Sequence, residues 1–454
     1  MLDTMVIFGA SGDLASRYLF PALARLQTNK ILPDNFKIVG VGRHRWNGRK
    51  FRDHVTRSLS RASDTISEAP NELLTNIEYR PCDAQHPRET SALLEALKQP
   101  FVAYLAIPSA LFESVAEALS QAKLAGGSRI VFEKPFGQDL ASAQRLNRLL
   151  RKILPENAIF RVDHFLHKQT IQNILGLRFA NRIFEPIWNS QHIERVEITW
   201  DETVALEDRA SYYDSTGALC DVIQNHLLQL LCLVGMAAPH SLDERNLRDR
   251  KVDVLRAIGR TGEEDLKKTT LRGRYTAGAI GGHPIPAYID EKGVDVRRDT
   301  ETFARVKLFV DNWRWAGVPF ILRSGKALGR ERKLIEIHFK PVPHLAFGHD
   351  RAPVPNVLRL NTTPDRLAIQ MNINGPRDPF DLGYLELDAQ LSPHELPAYA
   401  RLLVAVLEGD PALSIRDDEA EESWRIVEPI LEAWRTNRVP MLEYPAGSSG
   451  PVLD

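Results

Sequence analysis

Three side chains with catalytic or ligand-binding chemistry lie close together in the segment 161–170. Asp163, His164 and Lys168 bring an acid, an imidazole and an ammonium group into this short stretch. On a helix, His164 and Lys168 would share a face and could bind one anionic group together, while Asp163 could orient a neighbouring base. The same residues also fit a surface helix whose N-terminus is capped by Asp163. The segment alone leaves both interpretations open.

A second group of polar residues interrupts an otherwise apolar stretch. The pattern from Ala218 to Met236 predicts a buried helix that carries Asp221, Gln224, Asn225, His226 and Gln229. Buried polar groups must be hydrogen-bonded or functional. A single histidine on such a helix is often a hydrogen-bonded core residue, but a whole group favours the wall of a polar cleft. His226 is a candidate general base because the ordinary pKa of histidine lies near neutrality.

The N-terminal residues predict a strand, a glycine turn and a helix. This is the context of a phosphate-binding turn, in which glycines let the backbone approach a pyrophosphate and the helix N-terminus offers free N–H groups. The turn departs from the G-x-G-x-x-G pattern because a serine holds the second glycine place. The residues predicted to contact a dinucleotide here are Gly9, Ser11, Gly12, Asp13 and Leu14.

Two later strand ends add to this prediction. The strand 36–41 is followed by Arg43 and by no acid. An acid at this place usually holds the ribose of NAD, whereas an arginine suits the 2′-phosphate of NADP, so the predicted cofactor is NADP. Lys134 follows the strand 129–133 and would point into the cofactor crevice. A solvated loop is the alternative for both residues.

The elements that must position these residues change in character near residue 165. Strands and helices alternate before it, which predicts an N-terminal Rossmann dinucleotide-binding domain over residues 1–165. After it come long strands of alternating polarity, which predict an α+β domain over residues 166–454 with a large, mainly antiparallel sheet and helices on one face. The fold class is therefore α/β plus α+β. The Gly/Ser/Pro-rich tail from Tyr444 is expected to be loose.

Composition excludes several classes of function. The 454 residues carry a formal net charge of −1 and are 43% hydrophobic, so nothing indicates a nucleic-acid partner. No apolar run is long enough for a membrane span, and the first residues predict no signal peptide. The three cysteines form neither a disulfide framework nor a metal-ligand spacing. We predict a cytoplasmic protein with no metal site and no membrane partner.

Taken together, the motifs resemble those of the glucose-6-phosphate dehydrogenase family. Each motif is short, but they stand in the family's order and spacing over nearly the whole chain, as far as residues 416–419 and Trp424. They are GASGDLA at 9–15, EKPFG at 133–137, RVDHFLHK at 161–168, DVIQNHLLQ at 221–229, TETF at 300–303, NWRWAGVPF at 312–320 and RSGK at 323–326.

The resemblance implies an activity. Hydride would pass from C1 of β-D-glucose 6-phosphate to NADP, giving 6-phospho-D-glucono-1,5-lactone in the first oxidative step of the pentose phosphate pathway. It implies that His226 is the base for the O1 proton and that Asp163 holds this base in the useful tautomer. Arg43 falls at the family's 2′-phosphate position. The family also implies a homodimer or homotetramer.

The resemblance further implies a set of substrate ligands. His164 and Lys168 would bind the sugar phosphate, and Lys134 would touch both substrate and cofactor. The residues expected to bind elsewhere on the sugar are Glu202, Asp221, Lys326 and a further basic residue, for which Arg332 is preferred over Lys333.

The chain also departs from the family pattern around the phosphate. Phe165, His167 and Gln169 replace the usual Tyr, Gly and Glu, and a protonated His167 could compensate for the lost phenol. Ser16 and Tyr18 stand where basic residues are common, and Cys220 replaces the usual Arg. Two alternatives therefore stay open, namely a dehydrogenase for a related sugar or sugar phosphate, such as those of the glucose–fructose oxidoreductase group, and a non-catalytic NADP or sugar-phosphate sensor.

Overall fold

The chain folds into two compact units. The computed structural model describes residues 1–61, 71–207, 210–259, 262–347, 353–375, 381–392 and 394–452. The first unit contains residues 1–168, 239–248 and 394–421, and the second contains 169–238, 249–393 and 422–454. The segments 239–248 and 394–421 thus pack with the first unit, whereas the sequence interpretation placed them in the second domain. The domain boundary at 165 stays a prediction.

The described elements follow one another in this order. The strands are β1 (Thr4–Phe8), β2 (Lys37–Gly42), β3 (Ile77–Pro81), β4 (Val102–Leu105), β5 (Arg129–Glu133), β6 (Ile159–Val162), β7 (Ile193–Asp201), β8 (Thr270–Thr276), β9 (Gly278–Ile280), β10 (His283–Ile285), β11 (Phe303–Phe309), β12 (Pro319–Gly325), β13 (Arg332–Phe339), β14 (Val357–Thr362), β15 (Asp365–Asn374), β16 (Leu382–Gln390) and β17 (Met441–Pro445). The α-helices are α1 (Phe20–Thr28), α2 (Gly48–Arg61), α3 (Asn71–Thr75), α4 (Pro87–Glu95), α5 (Phe112–Gln121), α6 (Leu140–Leu150), α7 (Gln169–Phe179), α8 (Ala210–Tyr213), α9 (Leu228–Gly235), α10 (Glu244–Arg256), α11 (Glu263–Thr269), α12 (Ala398–Glu408) and α13 (Asp417–Arg435).

The first unit is built on a six-stranded sheet. All neighbouring strands are parallel, in the order β3-β2-β1-β4-β5-β6. β1, β4 and β6 are buried at every residue, as expected when helices cover both faces of a parallel sheet. The order is that of a Rossmann domain, so the N-terminal fold prediction is confirmed.

Helix α12 belongs to the core of this first unit although it lies near the end of the chain. Its residues Leu402, Leu403, Val406 and Leu407 are buried in one cluster with apolar residues of α1 and β1. Burial of each leucine stabilises the unit by about 1.5–3 kcal/mol. Arg129 adds hydrogen bonds to the carbonyl oxygens at the C-terminal end of the helix.

The second unit is built on a nine-stranded sheet in the order β16-β15-β14-β13-β7-β12-β11-β8-β17. Only the β7–β12 and β8–β17 pairs are parallel, so the prediction of a mainly antiparallel sheet is confirmed. One face, which includes Ile198 and Phe320, is buried. Trp315 packs against Phe320 and donates its indole N–H to the carbonyl oxygen of Gly235 at the end of α9, 2.7 Å away. The apolar face is therefore the one that helices cover.

The expectation of a loose C-terminal tail is wrong. Tyr444 is 1% exposed within the edge strand β17, and its hydroxyl donates to the carbonyl oxygen of Lys326 over 2.8 Å. Backbone hydrogen bonds from Gly329 and Gly447 extend this attachment beyond the strand. Glycine and serine in the tail did not imply looseness, because hydrogen bonds with Ala327, Gly329 and Arg323 hold the backbone of residues 447–449. Residues 453–454 lie outside the described residues.

Candidate active site

The glycine turn has the geometry that a dinucleotide needs. Gly9 has φ +78°, and a Cβ built there would lie 2.2 Å from the carbonyl oxygen of Ala106, so no other residue fits. The amides of Gly9 and Ala10 donate to the carbonyl oxygen of Val41, which fixes the turn to the end of β2. The helix begins at Asp13, and the N–H groups of its first turn have no partner within the helix. The turn thus fits a pyrophosphate.

The end of β2 lies next to this turn. The hydroxyl of Ser11 is 3.5 Å from the position of a Cβ on Gly42, the residue before Arg43. Arg43 itself is exposed. A guanidinium group beside the ribose end of a dinucleotide is the arrangement expected for a 2′-phosphate, so the residues present fit NADP. Asp13 also carries an exposed ion pair with Arg17, in which Nε and Oδ1 are 2.6 Å apart.

A buried carboxyl group organises the strand end that carries Lys134. Glu133 accepts hydrogen bonds from the hydroxyls of Tyr104, over 2.6 Å, and Tyr399, over 3.4 Å. Burial raises the pKa of Glu133 to about 7, against the opposing effects of the Tyr104 hydrogen bond and the Lys134 ammonium group, while Asp163 raises it further. The charges of Lys134 and Asp163 therefore both act on the carboxyl group of Glu133 within the first unit. The sequence interpretation gave Glu133 no role, although it stands in a motif that carries the resemblance.

The segment after β6 is a single tight turn and not a helix. His164–His167 forms one 3-10 turn, and the backbone of Lys168 is extended at φ −75°, ψ 140° before α7 begins. The shared helical face expected for His164 and Lys168 is therefore wrong, because no continuous helix joins them. Asp163 caps the turn, since its Oδ1 accepts from the amide of Phe165 over 2.9 Å. The N-cap role of Asp163 is confirmed, but the surface helix expected with it is wrong, because Asp163 caps a largely buried turn. The cap leaves a second role for this carboxylate open.

Phe165 and His167, which replace the usual Tyr and Gly of the family, are both buried. Phe165 is buried, with the Lys168 Nζ 4.8 Å from its ring centre and its ring edge-on to His164. Burial and the neighbouring Arg401 lower the pKa of His167 to about 4. His167 is therefore neutral near pH 7, and the idea that its protonated form compensates for the lost phenol is wrong.

The predicted helix from Ala218 to Met236 is present and buried, but its first part has an unexpected winding. Leu219–Leu227 is a π-helix, which continues as α9. Another π-helical segment, Ala15–Leu19, follows the glycine turn. π-Helices are rare and occur frequently at functional sites. The first segment coincides with the polar helix that the sequence indicated, and the second directly follows the predicted cofactor-binding turn.

The polar residues of this helix are buried as predicted. His226 is 3% exposed, and Asn225 donates to the carbonyl oxygen of Cys220 over 3.0 Å. The side-chain oxygens of Gln224 and Gln229 have no hydrogen-bond partner within the part of the chain that the structure describes. Asp221 is partly buried, and the Tyr212 hydroxyl lies 3.5 Å from its Oδ1. Unsatisfied buried amides are costly, which favours a ligand-binding role for this helix over packing alone.

A buried carboxyl group also positions the start of this helix. Glu301 accepts from the amide of Leu219 over 2.9 Å, and burial raises the pKa of Glu301 to about 7. Gly217, at φ +69°, leaves the space that Glu301 occupies. Sequence reasoning missed this role, although Glu301 lies in the TETF motif and Gly217 precedes the helix.

Glu202 and Lys326 meet at one edge of the large sheet. They directly follow β7 and β12, which are parallel neighbours, so both strands deliver their next residue to the same edge. The Lys326 Nζ and the Glu202 Oε2 are 2.6 Å apart, and the Lys326 ammonium lies over the ring of Tyr213. This pair offers one donor and one acceptor for sugar hydroxyls.

Arg332 lies on the open face of the large sheet, opposite the face that helices cover. Its guanidinium contacts Asp201, which also accepts from Arg323 over 2.9 Å. Its neighbour Lys333 points to the helix-covered face, where its ammonium lies over the ring of Trp200. Arg332 stays our predicted substrate ligand, but its side chain is held by Asp201 in this structure.

One group on the open face has metal-ligand chemistry. Among the described residues, Glu197, Glu336 and His338 place ligand atoms within 4.8 Å of one another. Arg195 and Arg359 pair with the two carboxylates, so guanidinium groups already balance their charges. The prediction of no metal site stays a prediction. None of the helices in the described ranges is long and apolar enough to cross a membrane.

The fold and these residues define a class of enzyme, the pyridine-nucleotide-dependent oxidoreductases in which a Rossmann domain precedes an α+β domain. Comparison with known proteins narrows the class. Residues 6–173 match the family model for the glucose-6-phosphate dehydrogenase NAD binding domain, and residues 175–453 match the model for its C-terminal domain. The chain belongs to the glucose-6-phosphate dehydrogenase family.

Individual relatives agree with this assignment. Glucose-6-phosphate 1-dehydrogenases from Treponema pallidum and Zymomonas mobilis are 40% and 38% identical, with 98% and 99% of this chain and 92% and 96% of the relatives covered. A solved glucose-6-phosphate dehydrogenase in complex with its substrate glucose-6-phosphate has a TM-score of 0.89 at 31% identity, over 99% of this chain and 95% of that one. A levoglucosan dehydrogenase, 12% identical with a TM-score of 0.55, shares the fold alone.

The activity follows from the family. The protein is an oxidoreductase that transfers hydride from C1 of glucose 6-phosphate to NADP. The reaction and the cofactor predicted from the sequence are confirmed. They replace the two alternatives, a dehydrogenase for a different sugar and a non-catalytic sensor.

Proposed function

We propose that His226 is the general base of this reaction and removes the O1 proton of the sugar as hydride leaves C1. The supporting observation is its place on a buried helix on which the side-chain oxygens of Gln224 and Gln229 have no hydrogen-bond partner among the described residues. NADP, when bound, accepts the hydride. A base held in a site from which water is excluded is effective because its geometry needs no reorganisation during the reaction. The role that the resemblance gives to Asp163 is the orienting carboxylate for this base.

The remaining residues would bind the substrates. In the first unit, His164 and Lys168 are proposed to bind the phosphate and Lys134 both substrate and cofactor. In the second unit, the ion pair of Glu202 with Lys326 is suited to sugar hydroxyls. Asp221 and Arg332 complete this proposed set of sugar ligands.

The cofactor contacts are assigned to the backbone of the glycine turn and to one side chain. Ser11, Asp13 and Leu14 would hold the pyrophosphate through N–H groups at the helix N-terminus. Gly9 and Gly12, whose own N–H groups bond within the turn, would let the backbone approach it. Arg43 would bind the 2′-phosphate, because it follows β2 beside Ser11. This assignment explains a preference for NADP without any contact to the nicotinamide.

Replacing the proposed base tests the mechanism. In His226→Asn, kcat should fall about 10²–10⁴-fold, the usual contribution of a general base, while KM for glucose 6-phosphate stays within a few-fold. His192→Asn is the matched control because His192 is exposed on the same unit, and it should keep full activity. Unchanged kcat in His226→Asn would remove this residue as the base.

The protein is also proposed to be a cytoplasmic homo-oligomer, either a dimer or a tetramer. The large sheet exposes apolar residues on one face of β15 and β16, namely Ile373 and Leu387, and exposed apolar patches mark interaction sites. All three cysteines are free thiols, which suits a reducing compartment. Light scattering should give a multiple of the 51.2 kDa chain mass, and Leu387→Asp should lower it. A monomer in the unmodified protein would contradict the assembly.

A further inference from the structure

Three aromatic rings form a column beside the proposed phosphate site. Tyr18 stacks on Tyr399 with ring centres 4.9 Å apart and an interplanar angle of 20°, and Tyr399 stacks on His164 at 5.4 Å and 18°. Phe165 closes the column with its ring edge-on to His164 at 4.8 Å. These separations lie in the range where aromatic pairs attract one another. The imidazole of His164 is therefore held on one face by Tyr399 and packed against Phe165.

Tyr399, the central ring of the column, is also held through its hydroxyl group. The Tyr399 hydroxyl donates to Glu133, which also accepts from Tyr104. Glu133 and Tyr104 are both buried, so this end of Tyr399 is attached to the strands of the first unit. A ring that is stacked on both faces and hydrogen-bonded at its tip has little rotational freedom.

Helix α12 delivers Tyr399 and contacts the same turn at a second point. Its neighbour Arg401 donates to the carbonyl oxygen of His167, while the leucines of the helix are buried in the core. The helix thus holds both ends of the turn His164–His167. No local feature of the turn requires this, because α12 lies more than two hundred residues further along the chain.

We propose that Tyr399 is a positioning residue for phosphate recognition, which holds the imidazole of His164 in the orientation that binds the sugar phosphate, with Tyr18 supporting its outer face. Stacking uses a face of the imidazole, whereas a histidine binds an anion through its N–H groups, which lie in the ring plane. The contact with Tyr399 can therefore orient the ring without using the atoms that would bind phosphate. This chain has Tyr18 and Phe165 where the family pattern has other residues, so the column is a feature of this sequence. The inference rests on the role proposed above for His164.

Two replacements of Tyr399 separate the ring from the hydroxyl. Tyr399→Leu removes the stacking and should raise KM for glucose 6-phosphate about three- to tenfold, the worth of one aromatic pair, with kcat and KM for NADP within twofold. Tyr399→Phe keeps both stacking contacts and loses only the 3.4 Å hydrogen bond to Glu133, so its KM for glucose 6-phosphate should lie between those of the unmodified enzyme and the leucine variant. A leucine variant with unchanged KM for the sugar phosphate, or with kcat and both KM values altered alike, would overturn the proposal, as would a Phe variant as impaired as the Leu variant.

A double-mutant cycle with His164→Ala distinguishes this inference from the function on which it rests. If Tyr399 acts through His164, Tyr399→Leu should change KM little once His164 is absent. An undiminished effect in the His164→Ala background refutes the positioning role. If His164→Ala alone leaves KM unchanged, the proposed phosphate ligand itself fails.

Tyr18→Leu, at a half-exposed position, gives a variant that folds even if Tyr399→Leu does not. It should raise KM about twofold to threefold through the same column, and an unchanged KM would refute the supporting role of Tyr18.

Discussion

Replacing Gly217 by alanine tests how the helix that carries His226 is positioned. Gly217 has φ +69°, and a Cβ there would lie 2.4 Å from the Glu301 Oε1. The same oxygen accepts the amide hydrogen of Leu219, the first residue of the π-helix. Alanine therefore strains the backbone and also pushes away the carboxylate that binds the helix start.

The two effects have different sizes. A left-handed conformation costs an alanine roughly 1–2 kcal/mol. Loss of a hydrogen bond to a charged acceptor adds about 1.5–3 kcal/mol, which applies above pH 7, where Glu301 is ionised. The expected total is about 2.5–5 kcal/mol of unfolding free energy. A displaced base also reacts poorly, and a shift of about 1 Å can lower kcat about a hundredfold.

Two other glycines of the second unit separate these effects. Gly281 has φ +56° with open space around it, so Gly281→Ala measures backbone strain alone. Gly176 lies in α7 with nothing near its Cβ position, so Gly176→Ala should be neutral or stabilising. Denaturant unfolding at pH 8 and steady-state kinetics give both quantities. If Gly217→Ala costs no more than Gly281→Ala and keeps its kcat, Glu301 does not position this helix.

Three further changes give distinct readouts. Arg43→Ala should raise KM for NADP about tenfold or more, the worth of a charged hydrogen bond, and leave KM for NAD unchanged; a parallel rise in both would show that Arg43 does not bind the 2′-phosphate. Asp163→Asn keeps an N-cap residue and so should preserve the melting temperature while kcat falls by orders of magnitude, an outcome that an intact kcat would contradict. Because the pKa of Glu133 is raised to about 7, the folded protein binds a proton there more tightly than the unfolded chain. Its stability relative to Glu133→Gln should therefore fall by about 3 kcal/mol as the pH rises from 4.5 to above 7, and a pH-independent difference would refute the shift.

Several parts of the fold and site could be predicted because their signals are local. The glycine turn was recognisable since Gly9 needs a positive φ and Gly12 precedes a helix. The buried helix was visible as an apolar stretch with polar interruptions, and the large sheet by the alternating polarity of its long strands. The strand order of the large sheet could not be predicted, because neighbours such as β7 and β12, or β8 and β17, lie far apart in the sequence.

The sequence by itself determined the types of the reacting groups, the family and the strand–turn–helix units, since residue chemistry and backbone preferences act over a few positions. Tertiary structure alone decided that Glu301 binds the start of the His226 helix, that Lys326 meets Glu202, and that α12 brings Tyr399 onto His164. These contacts join segments about 80 to more than 230 residues apart. They depend on strand order and core packing, which no local pattern records. The π-helical winding and the neutral state of the buried His167 likewise follow from the surrounding fold.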